Sequence, residues 1–178
     1  MFVDSHCHLD QIDLDSRVGG LKGLIADAKR RGVGHMLSVA VDLQSSRSLP
    51  SLTADYPEIF TSVGVHPLHK DSGLLVSVEE LVDLSYLPGV IAIGETGLDK
   101  FYSLDTIDWQ TESFIAHLKA SQRTGKPLII HTRDAVDDTI RLLTEYSSKA
   151  AGVMHCFTES WEMAKSALAL GFYISFSG

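Results

Sequence analysis

Short apolar segments alternate with amphipathic helical segments along the chain. The apolar segments are rich in β-branched residues, which is typical of strands that are buried in a parallel sheet. Each is followed by a segment whose apolar residues recur at a spacing of three and four, as on one face of a helix. This alternation predicts an α/β fold of about six strand–helix units and a seventh strand. The predicted strands are residues 2–8, 34–41, 59–66, 90–95, 128–131, 153–155 and 172–176.

The predicted helices begin and end at capping signals. Asp15 or Ser16 caps the first helix, Thr158 caps the last, and Gly125 ends the longest. His117 lies within that longest helix, and we predict it to be on the surface. The predicted helices are residues 18–28, 43–54, 78–86, 109–123, 136–143 and 161–168.

The order of the elements fits two α/β architectures, a TIM (β/α)₈-type barrel and a doubly wound sheet. No Gly-x-Gly-x-x-Gly motif or P-loop opens the first predicted helix, which disfavours a nucleotide-binding doubly wound sheet. Periodicity alone does not separate the two architectures further. The polar residues at the strand ends distinguish the barrel from the doubly wound sheet.

Composition and charge narrow the class of protein. The chain has 178 residues, 44% hydrophobic and 21% charged, and we treat residues 1–178 as a single globular domain. Its net charge of −8 excludes a broad basic surface for long nucleic acid, although bound cations could still attract a phosphodiester. Cys7 and Cys156 have neither disulfide nor zinc-ribbon spacing. With no signal peptide and no membrane span, we expect a cytoplasmic protein without membrane or obligate protein partners.

Histidine and glutamate occur where several predicted strands end. His6 and His8 alternate along the first strand, so their side chains share a face. Glu95, His131 and His155 end the fourth, fifth and sixth predicted strands. Taken singly, each could be a capping or core residue, but in a barrel these strand ends converge on one face. Five nitrogen and oxygen ligands there predict a site for one or two divalent cations.

Further polar residues near these strand ends are candidates for contact with a substrate. His66 ends the third strand, and we expect it to contact substrate. Arg133 could bind a phosphate through its forked guanidinium, or could face solvent. Asp99 could orient a metal ligand through a hydrogen bond without itself binding the metal, or could cap a turn. Lys100 and Tyr102 could contact substrate or could face solvent.

Five motifs resemble those of the TatD family of metal-dependent deoxyribonucleases, and they occur in the family's order across nearly the whole chain. The resemblance implies a TIM barrel of the amidohydrolase type that hydrolyses DNA phosphodiesters, often from an end. RNA is a further possible substrate. The motifs are residues 4–10 (DSHCHLD), 64–67 (GVHP), 93–99 (IGETGLD), 126–135 (KPLIIHTRDA) and 155–157 (HCF).

The resemblance also implies how metal ions are held. His6 and His8 would hold one divalent cation, and His131 and His155 a second. Glu95 would be shared between the two ions as the catalytic carboxylate. The ions would be zinc, magnesium or manganese.

The family pattern continues into a further strand with an acidic metal ligand, which this sequence does not reach. We therefore expect a C-terminally truncated member, with an open barrel that is prone to associate and slow in hydrolysis. Two alternatives to a deoxyribonuclease remain. One is a hydrolase of the same superfamily that acts on a small cyclic amide or ester, and the other is a metal-binding fragment without catalytic activity.

Overall fold

A computed structural model describes residues 1–69, 75–146 and 151–177. These residues form seven parallel strands and six α-helices, which confirms the predicted α/β alternation. No helix in the described ranges combines the length and the apolar composition that a membrane crossing requires. The strands are β1 (Phe2–Cys7), β2 (Val33–Ser38), β3 (Ile59–Val63), β4 (Val90–Asp99), β5 (Leu128–Arg133), β6 (Gly152–Met154) and β7 (Tyr173–Ile174). The helices are α1 (Gly20–Arg30), α2 (Leu43–Leu52), α3 (Val78–Ser85), α4 (Ile107–Thr124), α5 (Val136–Glu145) and α6 (Trp161–Ala169).

The strand order decides between the two predicted architectures. A doubly wound sheet reverses its strand order at a switch point, whereas here the order β1-β2-β3-β4-β5-β6-β7 follows the sequence throughout. The sheet is therefore of the barrel type, and its carboxyl strand ends share one curved edge. Among the described residues, β1 and β7 each pair on one side only, so the sheet curls without closing.

The largest apolar cluster lies between β4, β5 and β6 and the helices α4, α5 and α6. Burying one such side chain contributes about 1.5–3 kcal/mol to stability, so this cluster anchors these three strands firmly. They are the strands that carry or precede Glu95, His131 and His155. Members that are at most 1% exposed include Ile93, Phe114, Ile130, Leu142 and Met163.

Two of the predicted helix caps are wrong. Asp13 accepts a hydrogen bond from the backbone N–H of Ser16, so these residues form a separate turn, and α1 begins only after Gly19. At α6 the cap is Ser160, whose hydroxyl accepts the N–H of Met163, and not Thr158. A hydroxyl three residues before a free N–H is well placed to satisfy it. The predicted end of α4 at Gly125 is confirmed.

Strand β4 is longer than the sequence pattern predicts. The prediction ends the strand at Glu95, but pairing with β5 continues through Gly97, opposite His131, to Asp99, opposite Arg133. Glu95 is therefore an interior residue of a central strand, and Asp99 ends that strand. This places both carboxylates beside β5.

Candidate metal centre

Glu95 lies at the centre of a group of histidines. It is only 4% exposed, and a buried carboxylate is costly unless charges or hydrogen-bond donors surround it. Its Oε2 lies 3.3 Å from Nε2 of His6, and its Oε1 lies 3.7 Å from Nδ1 of His131 and 3.8 Å from Nε2 of His66. Burial alone would raise the pKa of Glu95, but interactions with His131, His6 and His66 hold that pKa well below its usual range. The carboxylate is therefore ionised at neutral pH.

One side of Glu95 is formed by histidines from β1 and β6. Nε2 of His6 lies 3.2 Å from Nε2 of His8, and Nδ1 of His8 lies 2.8 Å from the carbonyl oxygen of Val39, which fixes that ring. His155 directly follows β6 and stacks on His6, with ring centroids 3.4 Å apart and planes 7° from parallel. Nδ1 of His6 is buried and has no hydrogen-bond partner among the described residues. The nitrogen of His6 that faces both Glu95 and His8 is Nε2, so Nε2 is the atom of this ring that could bind a cation between them.

The other side of Glu95 is formed by His66 and His131, whose ring centroids are 4.5 Å apart. Nε2 of His131 lies 2.9 Å from Oδ2 of Asp99, and Asp99 is fully buried. Burial opposes protonation of His131, but Glu95 and Asp99 outweigh it and raise the pKa of His131. The Asp99 contact holds the His131 ring with Nδ1 toward Glu95. A role for Asp99 in orienting a metal ligand stays a prediction.

The side chains form two overlapping groups of three that share Glu95. Within each group the ligand atoms lie within 4.8 Å of one another, as around one metal ion. Burial lowers the pKa of His66 and of His155 to about 4, so both are neutral near pH 7, as metal-binding imidazoles must be. Each group thus holds one neutral imidazole beside the ionised Glu95, a donor set that fits a divalent cation. The groups are His6, Glu95, His155 and His66, Glu95, His131.

This grouping differs from the one that the resemblance implies. His155 lies with His6 and not with His131, and His66 takes the place beside His131. His8 adjoins the first group through His6. The structure thus brings together all five predicted ligands and adds His66, which the sequence assigns to substrate.

Arg133 ends β5 at the same edge of the sheet. Its guanidinium carbon lies 4.6 Å from the ring centroid of Phe101 and 5.0 Å from that of Tyr102. No carboxylate in the described part of the chain forms an ion pair with Arg133. The predicted contact between this side chain and a phosphate stays a prediction.

His117 is completely buried, so its predicted surface position is wrong. Its Nε2 accepts the backbone N–H of Val65 at 2.9 Å, which leaves the proton on Nδ1, 2.7 Å from the carbonyl oxygen of Ser113. The ring therefore connects α4 to the residue that precedes His66. Sequence reasoning missed this link between the helix layer and the candidate site.

We expect His117 to make the protein less stable in mild acid. Burial lowers the pKa of His117 to about 4, whereas the pKa of a histidine in the unfolded chain is near its usual value of 6.5. Between these values the unfolded chain binds a proton that the folded chain excludes, so stability is lost as pH falls from about 6.5 toward 4. The loss in the free energy of unfolding should reach up to about 3 kcal/mol.

Urea unfolding of the wild type and of His117→Gln, at about pH 7.5 and about pH 4.5, measures this effect. His66 and His155 add acid sensitivity to both proteins, so the difference between the two isolates His117. At about pH 7.5 the variant should have a lower free energy of unfolding than the wild type. Between about pH 7.5 and about pH 4.5 that free energy should fall less in the variant than in the wild type. The same pH dependence in both proteins would show that His117 is not the group responsible.

Comparison with known proteins places these features in a family. Residues 3–178 match the family described as TatD related DNase. The uncharacterized metal-dependent hydrolase YcfH of Escherichia coli K12 is 44% identical over 177 residues, which cover 99% of this chain and 66% of that protein. The 3'-5' ssDNA/RNA exonuclease TatD of Escherichia fergusonii is 32% identical over 156 residues, which cover 87% of this chain and 60% of that protein. The chain spans slightly less than two thirds of the length of these relatives.

Solved structures show the same architecture. YJJV, a TatD homologue from Escherichia coli K12, has a TM-score of 0.86 and 29% identity over 97% of this chain and 66% of its own. A TatD family hydrolase from Entamoeba histolytica, at 23% identity, shares the fold with a TM-score of 0.82 over 98% of this chain and 64% of its own. With the family match over nearly every residue, these similarities establish that the chain belongs to the TatD related DNase family.

Proposed function

We propose that this protein is a metal-dependent hydrolase that cleaves phosphodiester bonds of DNA from an end. The observation that carries the proposal is the buried, ionised Glu95 with imidazoles on both sides. Divalent cations bound there would activate a water molecule and neutralise charge on the phosphoryl oxygens. The residues that we assign to the cations are His6, His8, Glu95, His131 and His155.

The protein's own groups would position the substrate and the ligands. Asp99 accepts the hydrogen bond of His131 and so keeps the other nitrogen of that ring toward Glu95. We assign His66 and Arg133 to the substrate, because the partly exposed His66 lies beside Glu95 and Arg133 ends β5 at the same edge of the sheet with no carboxylate partner among the described residues. The Escherichia fergusonii relative, named for single-stranded DNA and RNA, supports a nucleic acid as the substrate class.

The charge of the protein favours contact with a short stretch of nucleic acid. A net charge of −8 with only 15 basic residues leaves little surface for neutralising many phosphates. Binding through about two or three phosphates would give a shallow dependence of affinity on salt. For a single strand, each phosphate contact adds only about 0.7 to the slope of the logarithm of the binding constant against the logarithm of the salt concentration. Such a shallow salt dependence is expected of a protein that binds only the end of a strand.

A substrate panel tests the proposed function. The protein is treated with a chelator and then supplied with Mg²⁺, Mn²⁺ or Zn²⁺. The substrates are single-stranded DNA labelled at either end, the same DNA as a duplex, the matching RNA, bis-p-nitrophenyl phosphate and dihydrouracil. We expect no activity after chelation and, on adding metal, stepwise shortening of DNA from one end.

The same panel separates the alternatives. Hydrolysis of dihydrouracil without cleavage of any phosphodiester would favour a cyclic-amide hydrolase. Metal binding in calorimetry without turnover of any substrate would favour a non-catalytic metal-binding protein. Either result would overturn the proposal.

A further inference from the structure

Two aromatic side chains lie exposed directly after β4. Phe101 is 56% exposed and Tyr102 is 63% exposed, and we call this pair the aromatic turn. Their ring centroids are 4.6 Å apart, with the ring planes at 87°. Neighbouring exposed aromatic residues beside a candidate active site indicate a binding surface more readily than a packing defect.

The aromatic turn is connected to the candidate metal centre by one carboxylate. Oδ1 of Asp99 accepts the backbone N–H of Tyr102 at 2.7 Å, while Oδ2 of Asp99 lies 2.9 Å from Nε2 of His131. Asp99 is fully buried, so both contacts are shielded from water and well defined. The backbone of the aromatic turn is therefore held by the same carboxylate that contacts His131.

Arg133 fixes the rings and adds a positive charge. Its guanidinium lies over both rings, at 4.6 Å from the Phe101 centroid and 5.0 Å from the Tyr102 centroid, in cation–π contact. The backbone N–H of Lys100 also donates to the carbonyl oxygen of Arg133 at 3.0 Å. The cation covers part of each ring, yet more than half of each residue stays open to solvent.

Exposed aromatic side chains next to an arginine are elements with which proteins bind unpaired nucleotides. The base stacks on a ring and the adjacent phosphate meets the cation. A base inside a duplex has both faces covered by its neighbours and is not available for this contact. The arrangement therefore favours a single strand over a duplex.

We propose that the aromatic turn stacks on an unpaired base of the substrate, while Arg133 contacts a phosphate of the same strand. The inference rests on the proposed function and deepens it, because it identifies the side chains that contact a base of the strand at that site. Since every base has a π face, the contact selects for an unpaired base and not for a particular sequence.

Paired oligonucleotides that differ only in their bases test the stacking. One is a short single-stranded DNA, and the other carries abasic tetrahydrofuran residues at its terminal positions. Both have phosphorothioate linkages to slow cleavage, and dissociation constants are measured by fluorescence anisotropy with Mn²⁺ present. The wild type should prefer the natural strand by about 5- to 150-fold, the range expected for stacking of one base.

Substitutions then assign the preference to the aromatic turn. The double variant Phe101→Ala, Tyr102→Ala should lose the preference, whereas Phe101→Tyr and Tyr102→Phe should keep it because they retain a ring. Tyr86→Ala is the matched control, because Tyr86 is a 70% exposed tyrosine that follows α3 at the opposite edge of the sheet. Equal binding of both strands by the wild type, or an unchanged preference in the double variant, would overturn the inference.

The outcome is distinguishable from failure of the proposed function. Bis-p-nitrophenyl phosphate has no base, so its hydrolysis reports the metal-dependent chemistry alone. If the diester is hydrolysed but natural and abasic strands bind equally, the proposed function stands and the stacking is refuted. If no phosphodiester is hydrolysed but the natural strand is preferred, the stacking surface stands and the proposed hydrolysis is refuted.

Discussion

Replacing Glu95 with glutamine should reduce phosphodiester hydrolysis by on the order of 10³-fold, the upper range for loss of one electrostatic contact in an active site. Glu95 is the one residue common to both ligand groups, and it approaches His6 at 3.3 Å and His131 at 3.7 Å. Glutamine keeps the size of the side chain but removes the charge. Metal affinity should fall by more than about tenfold, since even outer partners of metal ligands account for about 10- to 100-fold.

Initial rates with a labelled oligonucleotide and calorimetric titration with Mn²⁺ measure the two effects separately. Glu145→Gln is the matched control, since Glu145 is an exposed glutamate at the end of α5, on the side of the sheet away from the site. A thermal unfolding curve establishes that each variant is folded. Normal activity and normal metal affinity in folded Glu95→Gln would show that the residue is misassigned.

The barrel-type fold could be predicted because two periodicities agree along the chain. Strand segments with β-branched residues alternate with helical stripes, and parallel strands joined by helices have few arrangements. The seven strands occur where the sequence predicts them, although their ends differ by several residues. The caps of α1 and α6 were mispredicted because several serine, threonine and aspartate residues compete near each helix start. Which one caps the helix depends on local turns that pattern alone does not resolve.

The convergence of the candidate ligands was also predictable, because carboxyl ends of parallel strands share one edge. The grouping of these ligands around Glu95 could not be predicted. The stacking of His155 on His6 and the position of His66 beside His131 depend on strand register and side-chain rotamers. These are set by packing between distant residues and leave no local pattern in the sequence.

His117 was missed although the sequence holds a signal for its burial. Phe114, His117, Leu118 and Ser121 follow the spacing i, i+3, i+4 and i+7, and all four are buried on one face of α4. The polar members of this stripe have partners: His117 bonds to Val65 and Ser113, and Ser121 donates to the carbonyl of Lys126. A polar residue on an apolar stripe should therefore be tested for a buried hydrogen bond before it is placed at the surface.

The unexpected length of β4 depends on Gly97. Its φ is +138°, a region that L side chains rarely adopt, and it pairs with His131 across the sheet. A Cβ at this position would lie 1.9 Å from the carbonyl oxygen of His131. The sequence analysis ends this strand at residue 95, whereas Gly97 allows a close approach to β5 that continues it.

Gly97→Ala should therefore both destabilise the fold and disturb the candidate site. Backbone strain of about 1–3 kcal/mol and overpacking of about 1–3 kcal/mol together predict a loss of about 2–6 kcal/mol. For a chain of this length, the melting temperature should fall by about 5–20 °C.

The control is Gly125→Ala, because Gly125 also has a positive φ, +70°, but a Cβ there would meet nothing within 4 Å. That control should lose only about 1–2 kcal/mol, the cost of the left-handed backbone alone. Since the clash falls on the backbone of His131, Mn²⁺ affinity should fall in Gly97→Ala and not in Gly125→Ala. Equal melting temperatures and equal metal affinities in the two variants would show that the close approach of β4 to β5 does not hold His131 in place.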